Sequence, residues 1–126
     1  MKYSSRSIKG HGRGAGIGFP TINMRIPEDL PLSVKDGIYA AWVTIRKVKF
    51  PAALYYGKSA TFNGTEHSLE VYLIGEKSLY IQPDEPIEFE VVSFIRGDEK
   101  FDTVEQLVLH MGYDVEKIKE VLHLKK

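Results

Sequence analysis

The chain has 126 residues, no cysteine, and 17 basic side chains that balance 17 acidic ones, so its formal net charge is zero. This length predicts one domain spanning residues 1–126, while the balanced charge excludes a global field that would attract nucleic acid or an anionic membrane. The lack of cysteine excludes a disulfide framework and a zinc-thiolate site. Because no run approaches the roughly 18 apolar residues of a membrane-spanning helix and the N-terminus lacks a signal-peptide core, we expect a cytoplasmic protein.

Glycine occupies every second position from 10 to 18, and the segment continues as Phe-Pro-Thr-Ile-Asn up to residue 23. Because glycine has no Cβ, backbone N–H groups in such a run can approach and surround a polyanion, which predicts a phosphate site. The Thr21 hydroxyl and the Asn23 amide carbonyl then supply neutral oxygen ligands that suit a hard cation such as Mg²⁺. The glycines alone would equally suit a flexible loop.

Four segments rich in β-branched, aromatic or alternating apolar residues predict strands. The first two cover residues 38–45 and 50–56, with a solvated connection at 46–49 between them. The other two cover residues 68–74 and 87–95, where apolar and polar side chains alternate. Each strand is therefore expected to bury one face.

The hydrophobic period changes after Phe101. Residues 102–105 have the form of a helix capping box, and the apolar residues from 104 to 111 recur at helical spacing. Gly112 is expected to end this helix, and Asp114 is expected to cap a second one. Strands that precede helices, without alternation between the two, predict an antiparallel sheet or closed barrel with helices against one side.

Two familiar nucleotide-binding patterns fail in this sequence. No register of residues 10–18 fits G-x-G-x-x-G, and no strand-turn-helix context surrounds the run. Residues 57–59 read Gly-Lys-Ser, like the end of a P-loop, but the first glycine of that motif would fall at Ala52. A nucleotide would therefore have to bind through another architecture.

Glu70 is the carboxylate with the best placement for chemistry, because it lies in the middle of a predicted strand between Leu69 and Val71. A strand fixes the direction of such a side chain, which suits a general base. On the residue alone, a solvated glutamate on the outer face of the strand is the simpler interpretation. Arg96 and Phe101 flank a charged turn, from which they could contact an anion and an aromatic ring.

Several motifs, in the same order along the chain, resemble those of the riboflavin kinase family, including the flavokinase module of bifunctional bacterial FAD synthetases. The resemblance extends from residue 10 to residue 122 and therefore covers most of the chain. The family motifs Gly-Phe-Pro-Thr-Ala-Asn, Gly-Val-Tyr-Ala, Pro-Thr-Phe, Leu-Glu-Val-His, Leu-Tyr and Arg-x-x-x-Lys-Phe are similar to residues 18–23, 37–40, 60–62, 69–72, 79–80 and 96–101.

This resemblance implies a mainly β fold, a six-stranded antiparallel Greek-key barrel with C-terminal helices, that phosphorylates riboflavin to FMN with ATP. Glu70 would be the catalytic base, and Thr21 and Asn23 would hold Mg²⁺. Arg96 and Phe101 would contact the flavin. The implied nucleotide-binding residues belong to the glycine-rich segment and the motif after it: Gly10, Gly12, Arg13, Gly14, Gly16, Gly18, Pro20, Thr21 and Asn23.

The expected partners are riboflavin or FMN and ATP or ADP, with no nucleic acid and no membrane, and the chain is expected to act as a monomer. Two alternatives stay open. One is a catalytically degenerate module of the same fold that binds a flavin or a nucleotide without turnover. The other is a small β-barrel interaction domain without a small-molecule ligand.

Overall fold

The structure is a computed structural model that describes residues 2–8, 21–31, 33–58, 66–76, 79 and 81–123. Six strands and one helix lie in this part of the chain. The strands are β1 (Lys2–Arg6), β2 (Ile22–Met24), β3 (Gly37–Ile45), β4 (Val48–Gly57), β5 (Ser68–Leu73) and β6 (Pro86–Gly97), and the helix is α1 (Val104–Val121). The predicted order, strands first and helical structure last, is confirmed.

The six strands form one antiparallel sheet in the order β1-β6-β3-β4-β5-β2. The strands β3, β4 and β5 are consecutive neighbours, and β6 then returns to pair with β3. Three consecutive antiparallel strands with a fourth beside the first form a Greek key. The six-stranded Greek-key topology that the resemblance implied is therefore confirmed.

The two edge strands of the sheet meet at one point. An isolated antiparallel bridge joins Ser7, just after β1, to Met24 in β2. Beside this bridge the Ile8 N–H donates to the Asn23 carbonyl, with 2.9 Å between nitrogen and oxygen. The sheet thus curls until its two edges share hydrogen bonds, which is how a barrel removes exposed strand edges.

Apolar side chains cover both faces of the sheet. The inner layer fills the barrel and includes Met24, Val43, Leu54, Leu69 and Phe89. The outer layer lies between the sheet and α1 and contains Ile38, Ala40, Tyr55, Ile118 and Leu122. Because α1 shares this outer layer with the strands, burial of apolar surface holds the helix against the barrel.

The C-terminal region forms one helix, so the predicted division into two helices is wrong. The helix begins after Thr103, whose hydroxyl accepts the Gln106 N–H at 3.1 Å, and it continues through Gly112. Gly112 does not adopt the positive φ with which glycine commonly ends a helix. Asp114 forms an ion pair with Arg96 instead of capping a second helix. No helix in the described part of the chain is long and apolar enough to cross a membrane.

The connection between β3 and β4 is shorter than predicted. Only Arg46 and Lys47 separate the two strands, so Val48 and Lys49 belong to β4 rather than to a solvated loop. The φ angles of Arg46 and Lys47 are 51° and 68°. Positive φ at both positions suits a tight two-residue hairpin, whose backbone twist matches that of the flanking strands.

Strand β5 buries both of its faces, whereas the alternation in its sequence predicted one. Leu69 and Val71 face the barrel interior, and the alternate residues Glu70 and Tyr72 are only 1% and 7% exposed. Tyr72 borders a narrow crevice together with Met111 of α1. The interpretation of Glu70 as a solvated surface residue is therefore wrong.

Candidate active site

Glu70 lies on the outer face of the sheet, in a row of side chains that crosses neighbouring strands. Its direct partners are Asn23 of β2 on one side and Tyr55 of β4 on the other. Directly paired residues of antiparallel strands project from the same face. Strand pairing therefore brings Asn23, which is distant in sequence, beside Glu70.

Two hydroxyl groups hold the Glu70 carboxylate. The Thr21 hydroxyl donates to Oε1 at 2.8 Å, and the Ser68 hydroxyl lies 3.3 Å from Oε2, within hydrogen-bond distance. Because both oxygens are engaged and the side chain is almost fully buried, the carboxylate has a defined direction. A buried, oriented carboxylate is suited to accept a proton from a substrate placed beside it.

The side-chain oxygen of Asn23 accepts no hydrogen bond from the described residues. Its Oδ1 is buried and has no hydrogen-bond partner in that part of the chain. A buried polar atom without a partner is costly, which indicates that a further group engages it. Together with the Thr21 hydroxyl, this oxygen belongs to a pair of neutral ligands that fits Mg²⁺, a cation that prefers oxygen ligands.

The other predicted nucleotide-binding residues lie outside the described residues: Gly10, Gly12, Arg13, Gly14, Gly16, Gly18 and Pro20. Thr21 is the first described residue after them, and its hydrogen bond to Glu70 joins the end of this segment to the candidate base. The structure therefore brings together Thr21, Asn23 and Glu70. The phosphate role of the glycines stays a prediction.

The predicted flavin residues Arg96 and Phe101 lie together, beside α1. The Arg96 guanidinium donates to both carboxylate oxygens of Asp114, at 2.8 and 2.9 Å, and both side chains are mostly buried. Its Cζ also lies 5.5 Å from the centre of the Phe101 ring, a distance typical of a cation–π contact. Arg96 thus anchors α1 to β6, and its contact with a flavin stays a prediction.

A separate apolar cavity of about 240 Å³ opens at the end of the barrel where β3 begins. Its walls include Tyr39, Tyr56 and Leu69, and Leu69 projects from the face opposite to Glu70. Burial raises the pKa of Tyr39 and of Tyr56 above its ordinary value of 10.0, and the negative charge of Asp36 adds to both shifts. Both phenols therefore stay protonated at neutral pH.

Two residues that shape this region, Ser68 and Asp114, were not predicted as part of the site. Ser68 could have been found, because it lies two residues before Glu70 in a strand and therefore shares its face. The pairing of Asp114 with Arg96 had no such signal, since it depends on how α1 docks against β6. Only the packing of α1 against β6 brings Asp114 and Arg96 together.

Comparisons with known proteins identify the family of this chain. The sequence model of the family described as riboflavin kinase, or flavokinase, matches residues 1–122. A riboflavin kinase of Homo sapiens is 25% identical over 123 residues, which cover 93% of this chain and 77% of that protein. A bifunctional riboflavin kinase/FMN adenylyltransferase of Haemophilus influenzae is 33% identical, and the match covers 90% of this chain and 36% of that protein.

Solved structures give the same fold. The crystal structure of a Streptococcus pneumoniae protein named as a macrolide-efflux protein has a TM-score of 0.79 and 31% identity, and the match covers 94% of this chain and 38% of that one. Riboflavin kinase from Trypanosoma brucei has a TM-score of 0.69 at 21% identity, covering 97% of this chain and 78% of that one. The second likeness supports the fold alone.

Proposed function

The chain belongs to the riboflavin kinase family, and we propose that Glu70 is the general base of its reaction, the transfer of a phosphoryl group from ATP to riboflavin. The products are FMN and ADP. The observation that carries this role is the burial and orientation of the Glu70 side chain, which is 1% exposed and accepts a hydrogen bond from the Thr21 hydroxyl at 2.8 Å. A carboxylate in this state sits on a rigid strand and has one defined direction.

In this reaction Glu70 accepts the proton of the ribityl 5′-hydroxyl. The hydroxyl oxygen forms a bond to the γ-phosphorus while the bond from that phosphorus to the bridging oxygen of ADP breaks. Proton acceptance by a positioned carboxylate contributes typically about 10²–10⁴-fold to such a rate. The negative charge that leaves with ADP requires stabilisation from a cation and from backbone N–H groups.

Thr21 and Asn23 are the residues that we assign to a divalent cation, Mg²⁺. The support is the chemistry of the set, because a hydroxyl that donates to Glu70 keeps its lone pairs and the buried Asn23 Oδ1 has no partner among the described residues. When bound, Mg²⁺ would neutralise charge on the phosphate oxygens of ATP. The glycines at positions 10 to 18 and Arg13 would contact the same phosphates.

Riboflavin would approach from the side of the sheet that carries α1. Glu70 and Arg96 both project from that outer face, in the row that also contains Tyr55 and Ile38. We assign the flavin contact to Arg96 and Phe101, which lie against each other. The chain would act as a single domain and as a monomer. It would act in the cytoplasm, a reducing compartment that suits a chain without cysteine.

The experiment that tests this function is the incubation of purified protein with riboflavin, ATP and Mg²⁺, followed by chromatographic separation of the flavins. FMN that forms only with ATP is the expected result. A protein that forms no FMN, while riboflavin or ADP raises its melting temperature, would be the degenerate binding module. A protein whose melting temperature responds to neither ligand would be the interaction domain.

A further inference from the structure

The carboxylate of Asp98 occupies the space that a side chain at position 57 would need. A Cβ built on Gly57, the last residue of β4, would lie 2.3 Å from Asp98 Oδ2 and 2.6 Å from the Tyr55 hydroxyl oxygen. These separations are shorter than a carbon and an oxygen tolerate, so any larger residue would displace one of the two groups. Glycine at position 57 therefore leaves room for a contact between Asp98 and Tyr55.

Asp98 joins three segments of the chain. Its Oδ2 accepts the Tyr55 O–H at 3.0 Å and the Lys58 backbone N–H at 3.2 Å. Its own N–H donates to the carbonyl of Asp36, with 3.2 Å between nitrogen and oxygen. The residue after β6 is thus tied to the end of β4 and to the residue before β3. A charged acceptor makes such bonds stronger than a neutral one would.

Tyr55 connects this carboxylate to the active site. The side chain is 3% exposed and lies directly opposite Glu70 in the pairing of β4 with β5. The Cβ atoms of directly opposite residues are about 4.5–5.5 Å apart on one face of the sheet. Tyr55 and Glu70 are therefore side-by-side residues that leave the sheet on the same face.

We propose that Asp98 is a positioning residue of the phosphoryl transfer, which acts through the Tyr55 ring to hold the Glu70 carboxylate in its reactive direction. This inference rests on the proposed role of Glu70. In this role Asp98 supplies neither a proton nor a ligand to the reacting atoms. Its effect on rate comes from geometry, because a misplacement of about 1 Å can cost about 100-fold in rate.

Two variants test the link with little change in packing. Tyr55→Phe keeps the ring and removes the hydroxyl, and Asp98→Ala removes the acceptor. Each is expected to lower kcat about tenfold and to leave the KM for ATP unchanged, because a misdirected base slows chemistry more than binding. Since both variants break one link, the double variant is expected to be no slower than the slower single variant.

Glu85→Gln is the matched control. Like Asp98, the Glu85 carboxylate accepts hydrogen bonds from one side chain, that of Arg46, and from one backbone N–H, that of Gln82. Unlike Asp98, Glu85 lies just before β6 and has no described contact with Tyr55. This control is expected to keep the wild-type kcat. If the contact between Asp98 and Tyr55 only stabilises the fold, Tyr55→Phe and Asp98→Ala would have lower melting temperatures. Their kcat, measured at a temperature where each variant is folded, would then stay within about twofold of wild type. That result would overturn the positioning role.

The ¹³C NMR signal of the Glu70 side-chain carboxyl separates this inference from the proposed function. The signal is expected to shift in Tyr55→Phe and Asp98→Ala and to stay in place in Glu85→Gln, whether or not the protein turns over. A signal that is unchanged in both test variants overturns the inference. Absence of FMN formation by the wild-type protein overturns the proposed function instead.

Discussion

Glu70 and Glu85 are two carboxylates of the same barrel that differ in their hydrogen-bond donors. Glu70 is held by the hydroxyls of Thr21 and Ser68. Glu85 is held by the Arg46 guanidinium, with a shortest distance of 2.6 Å, and by a backbone N–H. The hydrogen bond from Arg46 lowers the pKa of Glu85 below its ordinary value of 4.5. Hydroxyl donors orient the Glu70 carboxylate, whereas the guanidinium places a positive charge beside Glu85.

Asp114, like Glu85, is held by an arginine. Its carboxylate receives two parallel hydrogen bonds from Arg96 and joins α1 to β6. Arginine is the residue that best holds a carboxylate in this two-pronged way. Arginine thus holds Glu85 and Asp114, whereas hydroxyl groups contact Glu70, the residue proposed to accept a proton.

The largest expected effect separates Glu70 from Glu85. Glu70→Gln should lower kcat for FMN formation by about 100-fold or more, because the amide cannot accept the proton. Riboflavin binding, measured by the rise in melting temperature, should be nearly unchanged. Glu85→Gln is the control and should turn over normally. A Glu70→Gln protein with the wild-type rate would refute the role of Glu70 as base.

The next effect concerns the Arg96–Asp114 pair. Asp114→Ala leaves a mostly buried guanidinium without its partner and should lower the free energy of unfolding by about 3 kcal/mol. Glu116→Ala breaks an exposed pair with Lys119 on the same helix and should cost less than about 0.5 kcal/mol. Urea denaturation measures both values. Equal losses in the two variants would show that the Arg96 pair is no stronger than a surface pair.

Asn23→Ala tests whether the unpartnered oxygen beside Glu70 binds the cation. Removal of one oxygen ligand should raise the Mg²⁺ concentration needed for half-maximal FMN formation about tenfold, which corresponds to about 1.4 kcal/mol. Gln106→Ala removes an exposed amide at the start of α1 and should leave the Mg²⁺ titration unchanged. If both variants titrate like the wild type, Asn23 is not a ligand.

The smallest effect appears in acid. Because the pKa of Glu85 is lowered in the folded state, its contribution to stability is present above the ordinary pKa of 4.5 and is lost as the pH falls through the lower folded value. Glu85→Gln should therefore be slightly less stable at pH 7, and the difference from wild type should vanish in acid. A difference that persists at low pH would mean that the effect comes from packing.

Much of the fold was predictable because its signals are local. The strands β3, β4, β5 and β6 were predicted near their observed positions, since each is long enough to show alternation or β-branched residues. The short strands β1 and β2 carry no such pattern over five and three residues. Gly112 misled the prediction of α1, because a glycine that interrupts a helical pattern has the same composition as one that ends it.

The candidate site divides in a similar way. Thr21, Asn23 and Glu70 were identified from residue type, spacing and family resemblance, and the structure brings these three together. The burial of Glu70 was not predictable from β5 alone. Apolar and polar side chains alternate along β5 as in a strand with one exposed face, although both of its faces are covered. The link from Asp98 through Tyr55 needed the register of β4 with β5.

By itself the sequence determined the chemical inventory, the family, most of the strands and the residues of the candidate base and cation site. These properties depend on side-chain type and on neighbours within a few positions. Only the tertiary structure decided that Glu70 is buried, that α1 is one helix, and that arginine ties Asp114 and Glu85 to distant elements. Those properties depend on contacts between residues far apart in the chain, and local periodicity carries no information about them.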